Sequence, residues 1–230
     1  MNIFDELTKK PWLADPSQIE GVPVQSYFMP TGKLGLRVFL IVVTVIFTLT
    51  TIAYGDRMLF ANWEPMPEPW VLWLNTAILI ASGIAMQWSK VNTKRDNIVG
   101  AREGLAFGGV LTIAFLIGQL YAWQQMVELG YYANITTANA FFYLLTGLHG
   151  IHMLGGLVAW GRSMLKLRKI AQSNGSINEV RLSIELCTTY WHYLLLIWLI
   201  MFFLFFLVLE KDFYFLQFLE INQKFLFYLQ

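Results

Sequence analysis

Five long stretches of this 230-residue chain contain no charged side chain, and they constrain its fold more than any other feature. A helix that crosses a bilayer needs about 20 predominantly apolar residues. Because backbone polar groups in lipid must be satisfied within the segment, such stretches favour helices. We place the membrane helices at residues 36–54, 70–88, 104–127, 139–161 and 186–209. The sequence therefore predicts an all-α membrane protein, a bundle of five transmembrane helices.

The composition excludes the common soluble classes of protein. Apolar residues make up 57% of the chain and charged residues only 13%, whereas soluble domains carry about 25% charged residues. The net charge of +1 provides no surface for a polyanion, so no nucleic-acid partner is expected. The single cysteine, Cys187, excludes an internal disulfide framework and a cysteine-cluster metal site.

Lysine and arginine are distributed unevenly between the two sides of the predicted bundle. Of the 16 basic residues, 13 fall in the N-terminal segment and in the second and fourth loops, and 3 fall in the other connections and the tail. Basic loops stay in the cytoplasm, so the N-terminus is predicted to be cytoplasmic and the C-terminus outside. Residues 1–35 then form a cytoplasmic arm, 36–209 the membrane domain and 210–230 an aromatic interfacial tail, for which a strand-like or partner-bound form stays open.

Ionisable side chains inside membrane segments are functional candidates, and here they are few. His149 and His152 lie on the fourth predicted helix, Glu185 lies at the start of the fifth, and His192 follows it; the chain has no other histidine. His149 and His152 are one turn apart, which suits neighbouring contacts better than opposite axial ligands of a haem. We predict that the four side chains form a polar seam between these helices or line a lipid site at their edge. A haem held between His192 and a fourth-helix histidine remains an alternative.

The same two helices carry a more specific pattern. The run Thr146-Gly-Leu-His-Gly-Ile-His152 is followed further along the chain by Glu185, six intervening residues and His192, within Tyr190-Trp-His-Tyr193. This arrangement resembles subunit III of the haem-copper oxidases, whose last two helices read T-G-x-H-G-x-H and E-x6-H. The resemblance covers residues 32–209, and the five predicted helices match the shorter bacterial form of that family.

The resemblance implies a non-catalytic role in aerobic respiration. In this family the haem and copper, and the reduction of oxygen to water, belong to the partner subunits I and II of a proton-translocating complex. Subunit III binds neither metal, packs against subunit I among the other subunits, and holds phospholipid. The expected location is the bacterial cytoplasmic (inner) membrane. The alternatives are a subunit-III-like accessory protein of a nitric oxide reductase, a stand-alone membrane b-type cytochrome and a small transporter.

The sequence departs from the family where carboxylates are usual. Val43 and Thr44 stand near the position of a glutamate in the first predicted helix, Ala122 and Trp123 near another in the third, and Leu195 replaces an acid in the fifth. A buried charge would cost at least about 2.5–3.5 kcal/mol to insert. We therefore predict that this chain does not relay protons across the bilayer.

Overall fold

The computed structural model of the protein describes residues 30–57, 70–173 and 178–228, and these ranges contain five α-helices and no strand. The helices are α1 (Thr31–Arg57), α2 (Val71–Lys94), α3 (Ile98–Glu128), α4 (Thr137–Ser173) and α5 (Asn178–Tyr228). Each contains a segment that is long and apolar enough to cross a membrane. The prediction of an all-helical bundle with five membrane helices is confirmed. Most of the predicted N-terminal arm, residues 1–29, lies outside the described residues.

The helices extend beyond the apolar stretches that predict them. The fourth helix was expected to end at residue 161 and the fifth to begin at 186, but α4 continues to Ser173 and α5 begins at Asn178. With 37 residues, α4 is about 55 Å long, which exceeds the ~30 Å hydrocarbon core. Lysine, arginine and glutamate are good helix formers, so the helix continues into a charged region where the apolar signal ends.

The C-terminal tail continues α5. Its backbone is helical to Tyr228, which excludes the strand-like form for residues 210–228. The positions of its side chains lie outside the described part of the molecule, which for α5 extends to Phe205. Placement of this tail on a membrane surface therefore stays a prediction.

Helix α5 is the centre of the bundle, because its aromatic side chains reach each of the other four helices. The contacts are Trp198 Nε1 to Thr76 Oγ1 of α2 (2.9 Å), Trp191 Nε1 to Thr112 Oγ1 of α3 (2.9 Å), Tyr190 hydroxyl to the His152 carbonyl of α4 (2.9 Å), and Tyr193 hydroxyl beside Thr44 Oγ1 of α1 (2.8 Å). Buried tryptophan needs a partner for its N–H, and these threonines supply it. The hydrogen bonds fix the rotation of α5 and so decide which of its side chains face outward.

The α2–α3 pair packs closely through small residues. Ser89 Oγ donates to the carbonyl oxygen of Ala101 at 2.7 Å, and Ser82 Oγ donates to that of Gly108 at 2.8 Å. A methyl group at Gly104 would lie 2.7 Å from the Ser89 amide nitrogen, so only glycine fits there. Small residues that let two backbones approach are characteristic of membrane helix pairs.

The bundle has one end rich in basic residues, which we call the basic end. It comprises the start of α1, α3 and α5 and the end of α2 and α4, and it carries Lys33, Lys90, Lys94, Arg102, Arg162 and Lys166. The shortest connection there, between α2 and α3, is held by Asn97, whose side chain accepts from the Gly100 amide at 3.1 Å and caps α3.

Candidate functional site

His149 is enclosed in the core. Its side chain is fully buried, and neither ring nitrogen has a hydrogen-bond partner among the residues that the structure describes. Three aromatic rings surround the imidazole, with centroids 6.4 Å (Phe47), 6.0 Å (Phe115) and 5.2 Å (Trp198) away. His149 therefore acts in this bundle as a packed ring that joins α1, α3, α4 and α5.

His152, almost one turn further along α4, faces a groove. Its Nδ1 lies 2.7 Å from the carbonyl oxygen of Leu148, which can only accept, so Nδ1 carries the proton and Nε2 is an acceptor. The ring packs against Phe39 and Phe47 of α1, with centroids 6.2 and 5.5 Å away. His152 thus lies at the junction of α1 and α4, half-buried.

Glu185 forms an ion pair at the basic end. Lys33 Nζ donates to its Oε1 at 3.0 Å, and the two side chains are 33% and 36% exposed. The pair joins the first turn of α1 to α5 across 152 residues of sequence. Because the pair is partly solvated, we assign it at most about 1 kcal/mol.

His192 lies on the outer side of α5. Its Nδ1 donates to the carbonyl oxygen of Thr188 at 2.8 Å, and its ring is exposed. Tyr190 and Trp191 take the directions toward α4 and α3. Since residues follow one another every 100° around a helix, His192 points away from both.

The predicted polar seam is therefore not continuous. His149 and His152 share contact with Phe47, whereas Glu185 pairs with Lys33 and His192 faces outward. The physical reason is the rotation of α5, which places aromatic residues rather than His192 against α4. The structure brings two of the four side chains together.

A groove of about 650 Å³ lies between α1, α4 and α5, and we call it the α1–α4–α5 groove. Its walls are mainly apolar, with Leu36 and Phe39 on one side and Ile151 on another, and His152 lies in it. At the basic end its lining includes Arg162 and Lys166, both exposed. The sequence reasoning did not single out these two residues as site residues, although their spacing of four on one helix places them on one face.

Within residues 30–57, 70–173 and 178–205, no three His, Cys, Asp or Glu side chains lie close enough together to hold a metal ion. His152 and His192 each donate from Nδ1 to a backbone carbonyl. The two rings lie on different sides of α5, since His152 lines the α1–α4–α5 groove and His192 lies between α5 and α2.

The comparison with known families decides the identity. The family model for cytochrome c oxidase subunit III matches residues 26–209, most of the chain and all five membrane segments. The chain belongs to the cytochrome c oxidase subunit III family. The resemblance inferred from the histidine motifs is confirmed.

Individual relatives agree with this assignment. The chain is 30% identical over 173 residues to cytochrome c oxidase subunit 3 of Thermostichus vulcanus, which covers 74% of this chain and 83% of the relative. It is 28% identical over 144 residues to the probable cytochrome c oxidase subunit 3 of Mycobacterium bovis, a match that covers 61% of this chain and 69% of the relative. It is 28% identical over 215 residues to cytochrome c oxidase subunit 3 of Drosophila yakuba, a match that covers 87% of this chain and 79% of the relative.

Family membership makes this chain a structural, multi-pass membrane subunit of a respiratory oxidase complex. Of the residues that stand near the expected carboxylate positions, Val43 and Ala122 are apolar and buried, whereas Thr44 carries a hydroxyl that donates to the Leu40 carbonyl. Val43 is 1% exposed on the inner face of α1, and Ala122 is fully buried in α3. In the five membrane segments the described carboxylates, Asp56, Glu103, Glu128 and Glu185, lie near segment ends.

Proposed function

We propose that this chain is the non-catalytic subunit III of a bacterial haem-copper terminal oxidase, and that it stabilises the complex by packing against subunit I and holding phospholipid. The complex would reduce oxygen to water and translocate protons in the cytoplasmic membrane. The observation that carries the stabilising role is the α1–α4–α5 groove, whose apolar walls lead to Arg162 and Lys166.

The groove has the length and polarity of one phospholipid. His152 and Lys166 are fourteen positions apart on α4, which is about 21 Å along the helix axis. Half of a ~30 Å hydrocarbon core is about 15 Å, so an acyl chain beside Phe39 and Ile151 leaves the headgroup near Arg162. Two cations favour an anionic phosphate at this end.

The charge distribution supports an orientation for the bundle. We assign the basic end to the cytoplasm, with the N-terminus on that side and the C-terminus outside. Arg162 and Lys166 would then face the cytoplasmic leaflet, which carries the anionic lipids.

We assign no haem or copper to this subunit and place both in subunits I and II. The support is that the three imidazoles face in different directions: His149 is packed among rings, His152 faces α1, and His192 faces outward. A haem between α4 and α5 would need His192 turned toward α4, the direction that Tyr190 takes through its hydrogen bond to the His152 carbonyl. The b-type cytochrome is therefore the weaker hypothesis.

The carboxylate positions support a role outside proton relay. The four described carboxylates of the membrane segments lie near their ends, and a relay needs titratable groups through the middle. Any effect of this chain on proton uptake would then arise from its cytoplasmic surface or through subunit I.

The first experiment identifies the catalytic partner. The complex is purified through a tag on this chain, the co-purifying subunits are identified by mass spectrometry, and oxygen and nitric oxide consumption are measured. An oxygen-reducing haem-copper subunit is the expected partner. A partner that reduces nitric oxide would replace the oxidase assignment with the accessory protein of a nitric oxide reductase. A Soret band carried by this chain alone would support the cytochrome alternative.

The second experiment tests the lipid site with matched variants on one helix. Arg162→Gln with Lys166→Gln removes the cations of the groove, whereas Arg168→Gln with Lys169→Gln removes two exposed cations of α4 that do not line it. Native mass spectrometry of the complex should show the loss of one anionic phospholipid in the first double variant only. Equal lipid content in both would contradict the proposed site.

A further inference from the structure

A second groove, of about 380 Å³, lies between α2 and α5, and we call it the His192 groove. Ile80 and Ile84 of α2 and Leu195 of α5 form apolar walls, and Gly83 lies between the two helices. Gln87, Trp88 and His192 supply the polar groups. Its lining contains no lysine, arginine or carboxylate, in contrast to the α1–α4–α5 groove.

Among the residues that the structure describes, none donates a hydrogen bond to Nε2 of His192, which faces the surroundings of the bundle. Since Nδ1 donates to the Thr188 carbonyl, the neutral ring keeps a lone pair on Nε2, and the exposed ring turns that edge outward. The exposed hydroxyls of Thr44 and Thr189 differ from this ring edge, because each donates to a carbonyl of its own helix, at 2.7 and 2.9 Å.

The depth of His192 excludes water and headgroups as ordinary partners. Glu185, which pairs with Lys33 at the basic end, precedes His192 by seven residues on the same helix. Seven residues correspond to about 10 Å along the axis, which places Nε2 within the hydrocarbon region, where acyl chains have no hydrogen-bond donor.

We propose that the His192 groove receives a transmembrane helix of a partner oxidase subunit, which donates a hydrogen bond from a hydroxyl, amide, indole or guanidinium group to Nε2 of His192. The side chain that enters lies between Ile80, Ile84 and Leu195. Gln87, which has no hydrogen-bond partner among the described residues, offers a second polar contact nearer the basic end. This inference rests on the proposed function, since it assigns the surface by which the subunit joins its complex.

The first test maps the contact by photocrosslinking in the assembled complex. A benzophenone amino acid replaces either Ile84 in the groove or Val110 on the outer side of α3. The two residues are similarly exposed, at 66% and 63%. Crosslinking from position 84 to a partner membrane subunit, with little from position 110, is the expected result. Crosslinking to lipid alone from position 84 would overturn the proposal.

The second test removes and restores the acceptor. In His192→Phe an aromatic ring remains without the Nε2 lone pair, and in His192→Gln an amide oxygen can accept in its place. Interhelical hydrogen bonds in membranes correspond to about a three- to eighteen-fold change in an equilibrium constant. We expect that loss of this subunit during detergent purification increases by that factor in His192→Phe and returns toward the wild-type value in His192→Gln.

Val110→Phe controls for a phenylalanine added elsewhere on the membrane surface, and it should not change retention. Equal retention of His192→Phe and wild type would refute the inference. If the chain co-purifies with no oxidase at all, the proposed function fails. If it co-purifies but crosslinks only from position 110, this inference alone fails.

Discussion

The close contact of α2 and α3 at Gly104 gives a prediction whose sign can be worked from the structure. A Cβ at Gly104 would lie 2.7 Å from the Ser89 amide nitrogen and 2.9 Å from the Ala85 carbonyl oxygen. Both are backbone atoms, so neither can move aside without separating the helices. Gly150 of α4 is the matched control, since a Cβ there meets no atom within 4 Å.

The two Gly→Ala substitutions should have opposite effects. Alanine favours a helix interior over glycine by about 0.5–1 kcal/mol, and this gain applies at both positions. At Gly104 it is outweighed by overpacking of about 1–3 kcal/mol and by weakening of the Ser89–Ala101 hydrogen bond, about 1 kcal/mol. Gly104→Ala should destabilise the chain by about 1–3 kcal/mol, whereas Gly150→Ala should leave it unchanged or slightly more stable.

The buried thiol of Cys187 provides the assay. It is the only cysteine in the chain and is 4% exposed, so its labelling by a maleimide on heating reports opening of this bundle within the purified complex. Mass spectrometry of this chain separates its label from that of partner subunits. The labelling midpoint should fall in Gly104→Ala and not in Gly150→Ala. Equal midpoints for both variants would refute the close-packing argument.

Three further predictions concern the core and the ion pair. His149→Leu should leave thermal stability within about 1 kcal/mol of wild type or raise it, because no described residue loses a hydrogen-bond partner when this ring is removed. A large loss of stability in His149→Leu that is absent in His149→Asn would indicate a hydrogen-bonded imidazole. Trp198→Phe should lower the free energy of unfolding by about 1–3 kcal/mol, since it leaves the buried Thr76 hydroxyl without its indole donor. Adding Thr76→Val to this variant should cause little further loss of stability. Lys33→Gln should lower the free energy of unfolding by less than about 1 kcal/mol. Its effect should not be additive with that of Glu185→Gln in a double-mutant cycle of labelling midpoints, and full additivity would mean that the pair does not interact.

The surroundings of His149 differ from those that the sequence suggests. The sequence places His149 with His152, Glu185 and His192 in a polar seam or at a lipid site. The structure instead places Phe47, Phe115 and Trp198 around it. A motif gives the spacing of residues along one helix, but the neighbours of a side chain come from other helices, which no spacing specifies.

The number of membrane helices was predictable for a physical reason. Lipid excludes charge, so a charge-free stretch of about 20 residues has few alternatives to a spanning helix. Water-exposed segments lack such a constraint, because charged residues occur in both helices and loops. The extension of α4 to Ser173 and of α5 back to Asn178 was therefore missed.

Long-range pairs were outside the reach of sequence reasoning. Lys33 and Glu185 are separated by 152 residues, and each has several possible partners of opposite charge at the same end of the bundle. Their pairing depends on the position of α1 against α5, which is set by packing of Val43, Phe47 and Tyr54, the three buried residues of α1. One helix face with a few large side chains thus determines which charges meet.

The rotation of α5 separates two surfaces with different chemistry. Cys187 and Tyr190 line the α1–α4–α5 groove, where Arg162 and Lys166 suit a phosphate, whereas His192 lies about 200° further around the helix than Tyr190 and offers an acceptor within hydrocarbon. A lipid headgroup satisfies the first surface and only a donor carried by protein satisfies the second. Because the hydrogen bonds by which Tyr190 and Trp191 hold α5 involve neither Arg162 nor His192, substitutions at these two residues can be combined without breaking either bond. In that double variant, lipid content should fall as in the Arg162 variant alone and subunit retention as in the His192 variant alone. Loss of both lipid and retention in either single variant would mean that one surface serves both roles.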